Sequence, residues 1–353
     1  MRPKVLVASA LLWPNAARLC RAFRDVGFDV GAIAVAENPV HIAKTPSRAF
    51  LYSPAAPLDS LREAIKHHGP DLIIPCDERI LGHLQTVKAT DNRLTALVER
   101  SLGPGGASGE VARRGSLREI GRLPDVVVPR TDTVESLADL RKWARIHGLP
   151  AALKLDGSSG GVDVVIVRCE SELRRAFLEM MVRRSPLKGL KRYVIDRDVE
   201  ALRFGPKRDI SVQSYVAGRP ANVAVACWRG EVIAHVAVEV LQTSGPLGVA
   251  TVVRVVDGDA MVAEARSICR KFDLSGLHGF DFVIDQDSGV KLIEINARAT
   301  QIGHFPLGPG RDLAAAFFTV FSGGREVVGR PSMKPGILPS FRRSGSGTHK
   351  VHI

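Results

Sequence analysis

Phe280–Asp285 (FDFVID) and Val290–Asn296 (VKLIEIN), separated by Gln286–Gly289 (QDSG), alternate apolar and polar residues on either side of a turn. That alternation is the signature of a β-hairpin, because successive side chains on a strand point to opposite faces. In one unbroken register Asp285 pairs with Val290, Phe282 with Ile293 and Asp281 with Glu294. One face then carries Phe280, Phe282, Ile284, Ile293 and Ile295 as a core face, and the other carries Asp281, Glu294 and Asn296. Two carboxylates directly opposite one another repel. A positive group between them removes the conflict, and hard oxygen ligands on a rigid face suit magnesium. The plainer alternative is a solvent-facing strand pair whose charges are hydrated. Arg298, two residues beyond Asn296, is placed either to meet charge on a transferring phosphoryl group or to form a surface ion pair.

A second feature lies upstream. Lys154 lies in an apolar strand pattern, Ala151–Leu155, and Asp156-Gly157-Ser158-Ser159-Gly160-Gly161 follows before a second strand pattern, Val162–Val167. Backbone amides of such a loop can close over phosphates, with Lys154 as a point charge. It is not a GxxxxGK[ST] loop. Gly157–Gly161 also fits G-x-S-x-G, with Ser159 as the nucleophile of a serine hydrolase, but that elbow requires a helix after it, and Val162–Val167 is β-branched.

The first hundred residues alternate strand and helix signals. Lys4–Ala10, Asp29–Val35 and Asp71–Cys76 read as buried strands. Pro14–Val26 reads as a helix, and so does Leu61–His68, after a capping box formed by Ser60 and Glu63. This βαβ rhythm predicts a small parallel sheet, and no G-x-G-x-x-G follows its first strand, which argues against a dinucleotide. Ser101–Gly109 (SLGPGGASG) reads as a Gly-rich break between domains. Beyond it the pattern predicts helices over Leu137–His147, from Glu172 onward, and over Ala260–Phe272 with Asp259 as cap. Strands are expected at Ile210–Val216, Ala221–Trp228 and Val232–Val240. The expected division is 1–100, a linker or helical segment over 101–128, a small lobe over 129–210, a large lobe over 211–325 and a loose basic tail over 326–353.

Composition agrees with an α/β protein of several domains. The 353 residues are 45% hydrophobic but only 5% aromatic, so Val, Ile, Leu and Ala must build the cores. Lys plus Arg number 49 against 37 Asp plus Glu, a net +12. The excess is spread along the chain without an aromatic-interleaved basic stripe, which reads as a solvated basic surface rather than a nucleic-acid groove. Five scattered cysteines without a CxxC suit a reducing, cytoplasmic setting. The apolar Val5–Trp13 is too short for a membrane helix and reads as a first buried strand rather than a signal peptide.

Taken in order, Lys154 with its Gly/Ser loop, Ser211–Gly218 (SVQSYVAG), Gly279-Phe280-Asp281-Phe282 and Glu294-Ile295-Asn296-Ala297-Arg298 resemble the ATP-grasp superfamily over roughly Pro129 to Phe318. The first hundred residues are similar to the Rossmann-like domain that commonly precedes it. The resemblance implies an N-terminal parallel sheet followed by a two-lobed ATP-grasp fold. It implies ATP contacts from Lys154, the loop Gly157, Ser158, Ser159, Gly160 and Gly161, and the hinge Gln213, Ser214, Tyr215 and Val216. It places magnesium, or manganese, on Asp281, Glu294 and Asn296, and sets Arg298 against the transferred phosphate. The implied activity is a ligase that phosphorylates a carboxylate for attack by an amine or thiol, with small molecules as partners and a homodimer as the default assembly. A nucleotide-binding module without turnover is the alternative. The chain departs from the pattern before the loop, where Val111–Arg122 offers Arg113, Arg114 and Arg118 but no second lysine, and at the hinge, where Gln213 replaces the usual acid.

Overall fold

The computed structural model of the chain describes residues 2–111, 113–156, 163–184, 209–285, 289–327 and 331–340. Its first unit is a four-stranded parallel sheet of β1 (Lys4–Ser9), β2 (Asp29–Ala34), β3 (Arg48–Leu51) and β4 (Leu72–Pro75), in the order β3-β2-β1-β4. The crossovers carry α1 (Asn15–Asp25), α2 (Pro39–Ile42) and α3 (Pro57–His68), and α4 (Glu78–Thr90) follows β4. Val5, Leu6, Val7 and Ala8 are fully buried because helices cover both faces of the sheet. The α1 stripe of Leu19 and Phe23 is also fully buried, and each such side chain contributes about 1.5–3 kcal/mol. Helix α3 starts earlier than the expected capping box. Pro57 opens it, and Ser60 sits inside the first turn with its hydroxyl on Ala56 O. Proline at the first helical position needs no partner for a missing N–H, so the cap is dispensable there.

The Gly-rich stretch is largely helical. Helix α5 (Asn92–Ser108) runs through most of it with a break at Gly103, whose φ is +73°. A Cβ on Gly103 would lie 2.0 Å from the Asp273 carbonyl oxygen. The glycines are there because two backbones meet without room for a side chain. The short helix α6 (Leu117–Ile120) then leads into the small lobe.

That lobe is an antiparallel sheet of β5 (Thr131–Val134), β6 (Ala151–Leu155), β7 (Val164–Val167) and β8 (Ile210–Ser214), in the order β5-β8-β6-β7. Helices α7 (Leu137–His147) and α8 (Glu170–Arg184) pack on it. Trp143, Leu173, Phe177 and Met180 fill a core of its own. Strand β8 belongs wholly to this sheet, so the expected division at residue 210 would cut one of its strands. The chain leaves the lobe after Ser214.

The large lobe is a six-stranded sheet in the order β13-β12-β9-β10-β11-β14. Its strands are β9 (Arg219–Trp228), β10 (Glu231–Thr243), β11 (Ala250–Val256), β12 (Gly276–Asp285), β13 (Gly289–Asn296) and β14 (Ile337–Pro339). Helix α9 (Asp259–Lys271) packs on one face and α10 (Leu313–Phe321) on the other. Gly258 in the left-handed region precedes α9, so Asp259 is its first residue and not its cap. Strand β14 lies within the expected loose tail and pairs with β11, while residues 341–353 lie outside the described residues. Two hydrophobic cores run from the first sheet into the large lobe without interruption, which makes these two units one packed body.

The β12–β13 hairpin departs from the expected register at one place. Asp281 faces Glu294, but Phe282 faces Leu292, Val283 faces Lys291 and Asp285 faces Gly289. Ile293 is an extra residue, a β-bulge. It sends Leu292 into the core, fully buried, and turns Ile293 out toward the small lobe.

Candidate functional site

The bulge has a partner in the small lobe. The Ile293 carbonyl accepts from Lys154 Nζ at 3.3 Å and from Gln213 Nε2 at 3.4 Å. Lys154 Nζ also donates to Gln213 Oε1 at 2.7 Å, and Gln213 Nε2 donates to Thr131 Oγ1 at 2.9 Å. Lys154 and Gln213 are both buried. A buried ammonium needs hydrogen-bonding partners, and these oxygens supply part of that need. The side chain of Gln213 thus holds the lysine. The backbone N–H groups of Ser214 and Tyr215 donate to Arg130 O and Pro150 O, so two hinge donors are used inside the small lobe.

Between the two sheets lies a cavity of about 360 Å³. Ala152, Val164 and Ile166 line it from the small lobe, Phe282, Val283 and Ile293 from the large one, and Ser214–Val216 at the hinge. Flat apolar walls joined by a hinge suit a planar aromatic base. The loop from Gly157 to Gly161, including Ser159, lies outside the described residues. It joins two antiparallel strands, β6 and β7, and no helix follows it directly, which removes the context a nucleophile elbow needs.

Along the cavity floor the acidic face is assembled as a chain of hydrogen bonds. Asn222, in register with Asp281 on β9, donates to Asp281 Oδ1. Asn296 Nδ2 donates to Asp281 Oδ2 at 3.1 Å. Arg298 Nη2 donates to Asn296 Oδ1 at 3.0 Å, and Arg298 Nε donates to Glu78 Oε1 at 2.8 Å. Burial, and then the Glu294 carboxylate opposite, push the Asp281 carboxyl upward; the two asparagine amides and the Arg298 charge pull it back. The donor chemistry fits a hard divalent cation, with two opposed carboxylates and an amide oxygen on one rigid ribbon. Among the described residues no cluster of three or more His, Cys, Asp or Glu is placed to hold a metal. Asp281, Glu294 and Asn296 could supply only a partial shell, of the kind magnesium completes with phosphate oxygens and water.

Sequence reasoning missed two members. Asn222 gives no local signal, since it is one polar residue in a buried strand. Glu78 opens α4 in the first unit, 220 residues from Arg298. The preceding Asp77 caps α4 at Ile80 N and also accepts from Ser9 Oγ and Ala10 N, which fixes that helix end. Of the residues after Arg298, Thr300 and Gln301 line the cavity. His304 Nδ1 donates to Gln301 O instead, and burial, with the Arg18 charge, lowers the His304 pKa to about 4.

Residues 167–301 match the family model of the ATP-grasp domain. No curated protein sequence matches the chain. Among solved structures it is similar to N5-carboxyaminoimidazole synthetase from Staphylococcus aureus, with 13% identity, a TM-score of 0.63, and coverage of 92% of this chain and 79% of that one. The biotin carboxylase domain dimer of Hydrogenobacter thermophilus 2-oxoglutarate carboxylase, in complex with MgADP, ADP and bicarbonate, gives 18% identity and a TM-score of 0.61, covering 94% and 71%. L-amino acid ligase from Bacillus licheniformis gives 15% identity and a TM-score of 0.58, covering 94% and 78%. Residues 167–301 thus carry the match to the ATP-grasp domain, and a four-stranded parallel sheet precedes them in the chain. Among the described residues no helix is long and apolar enough to cross a membrane.

Proposed function

We propose that the protein is an ATP- and magnesium-dependent ligase that activates a carboxylate as an acyl phosphate for attack by an amine or a thiol. The observation that carries this reading is the linked set of Asp281, Glu294, Asn296 and Arg298 on the floor of a cleft with Lys154 at its other wall. The names of the structural neighbours, a carboxyaminoimidazole synthetase and an amino acid ligase among them, agree with it.

In this reading the apolar walls and the hinge hold the base, and Lys154 turns from Gln213 toward the phosphates as the lobes close. Asp281, Glu294 and Asn296 would hold magnesium, which neutralises phosphate charge and screens the repulsion between the two carboxylates. Arg298, anchored by Glu78, faces the phosphoryl group in flight. A substrate carboxylate oxygen attacks the γ-phosphorus; the bond to the ADP oxygen breaks and ADP leaves. The amine or thiol then attacks the acyl carbon, inorganic phosphate departs with the C–O bonding electrons, and the nucleophile's proton passes to solvent. Lobe closure excludes the water that would hydrolyse the acyl phosphate.

Magnesium-dependent ADP release, measured over pools of carboxylates and amines, tests the reading. Glu294→Ala and Asn296→Ala are expected to lower it by at least about a hundredfold. Unchanged release in both variants would remove the metal face from the mechanism.

A further inference from the structure

Strand β9 lies inside the large sheet, between β12 and β10. Asn222 shares one face of that strand with Pro220, Ala224 and Ala226, and it faces Val238 on β10. An amide among such neighbours is costly unless it is paired. Its partner is Asp281. The two residues are in register across β9 and β12, and Asn222 Nδ2 donates to Asp281 Oδ1. Asn296, from β13 on the other side of β12, donates to Asp281 Oδ2 at 3.1 Å. Each oxygen of one carboxylate is thus held by an amide from a different neighbouring strand. The terminal torsion of an aspartate is otherwise broad, so donors on opposite oxygens fix the plane of the group. An ionised carboxylate has about four acceptor sites, and lone pairs remain on both oxygens.

We propose, resting on the reading of Asp281, Glu294 and Asn296 as a magnesium face, that Asn222 is a positioning residue: it sets the plane of the Asp281 carboxylate, so that the cation meets a preformed ligand. Without Asn222 the carboxylate keeps the Asn296 amide alone and turns about that contact. Part of the binding free energy then goes into ordering it. A partner one bond removed from a metal is worth about 10–100-fold in metal affinity. The type of donor fits this role. An amide holds a carboxylate without adding charge, whereas a lysine or arginine at position 222 would neutralise the acidic face and compete with the cation. Packing does not call for an amide here, since a leucine at 222 would lie against Val238 and between Pro220 and Ala224. Asn222 also differs from Asn296, whose oxygen accepts from Arg298 Nη2 at 3.0 Å while its amide serves Asp281. Among the described residues the Asn222 side chain is hydrogen-bonded to Asp281 alone.

The test titrates the full chain with Mn2+ in the presence of ADP and reads free Mn2+ by its electron paramagnetic resonance signal. Asn222→Leu removes the donor at nearly constant volume, and Asn222→Ala removes it by truncation. Both are expected to raise the Mn2+ dissociation constant by about tenfold or more. Asn222→His keeps a donor, because the imidazole Nδ1–H stands where the asparagine Nδ2 does, and is expected to stay within about threefold of the parent. ADP affinity in EDTA, measured by calorimetry, is expected to be unchanged in all three, since the role is confined to the cation. Parental Mn2+ affinity in the leucine and alanine variants, an equal loss in Asn222→His, or an ADP affinity in EDTA that falls as far as the Mn2+ affinity would overturn the positioning role. A parent protein that binds ADP but takes up no Mn2+ would instead overturn the reading of the metal face on which the role rests.

Discussion

Arg298 and Glu78 are joined by a 2.8 Å ion pair that ties the large lobe to the first turn of α4 in the parallel-sheet unit. Arg298 is 7% exposed, so its charge is held by Glu78 on one side and by the Asn296–Asp281 chain on the other. The next residue repeats the tie through the backbone, with Ala299 N donating to Pro75 O at 2.9 Å. The parallel-sheet unit thus supplies part of the acidic face's support as well as a wall of the cleft.

Glu78→Gln keeps the shape of the side chain and removes its charge. Arg298 then keeps a hydrogen bond but loses its countercharge, so the guanidinium is expected to shift toward the other carboxylates. We expect kcat to fall by about tenfold or more with little change in the KM for ATP, and stability to drop by about 1–3 kcal/mol. Steady-state ADP release and urea unfolding measure the two effects. A variant equal to the parent in both would show the pair to be incidental.

Lys154→Met removes an ammonium and leaves the buried Gln213 Oε1 without its 2.7 Å donor. Affinity for MgATP is expected to weaken by about tenfold or more. Isothermal calorimetry with MgADP reports this directly. Lys154→Arg is not expected to restore it, because a planar guanidinium cannot occupy the point-charge position beside the Ile293 carbonyl.

The Glu264 carboxyl on α9 is 5% exposed, and burial pushes its pKa up to about 7 from an ordinary 4.5. The Val127 N–H donates to it at 3.3 Å and favours the ionised form. Below pH 4.5 both folded and unfolded chains hold the proton. Between 4.5 and 7 the folded chain holds more of it, so stability falls as pH rises, and above 7 the cost is complete. Glu264→Gln is therefore expected to match the parent near pH 5 and to exceed it by about 1–2 kcal/mol at pH 8. Denaturant midpoints at the two pH values measure this, and a stability difference independent of pH would contradict it.

Gly103→Ala should be among the costliest small substitutions in the chain. Its backbone is left-handed, and the added methyl carbon would stand 2.0 Å from Asp273 O. Loss of at least about 2 kcal/mol is expected from the conformational cost and the clash together. Gly148→Ala, also at positive φ but with nothing within 4 Å, isolates the conformational part alone. Thermal unfolding of the two variants separates the contributions.

The local patterns carried a good deal. Strand alternation on both sides of a short turn was enough to set Asp281 opposite Glu294, because period two and turn length act over a few residues. The βαβ rhythm of the first hundred residues likewise foretold a parallel sheet. The same reasoning failed one residue further along the hairpin. The bulge at Ile293 turns on its carbonyl accepting from Lys154 and Gln213, side chains 139 and 80 residues distant. Ser101–Gly109 failed for a related cause. Glycine marks a flexible turn and a tight backbone crossing with the same letter, and only the approach of Asp273 tells them apart.

What the sequence determined by itself was the period of each element, the placing of Asp281, Glu294 and Asn296 on one side of a ribbon and the order of the motifs, all set by neighbours a few residues apart. The tertiary structure alone decided that Gln213 holds Lys154 and that Asn222 and Glu78 complete the acidic chain. Those contacts join segments whose spacing along the chain carries no trace of their meeting, and they exist only once burial has brought the sheets together.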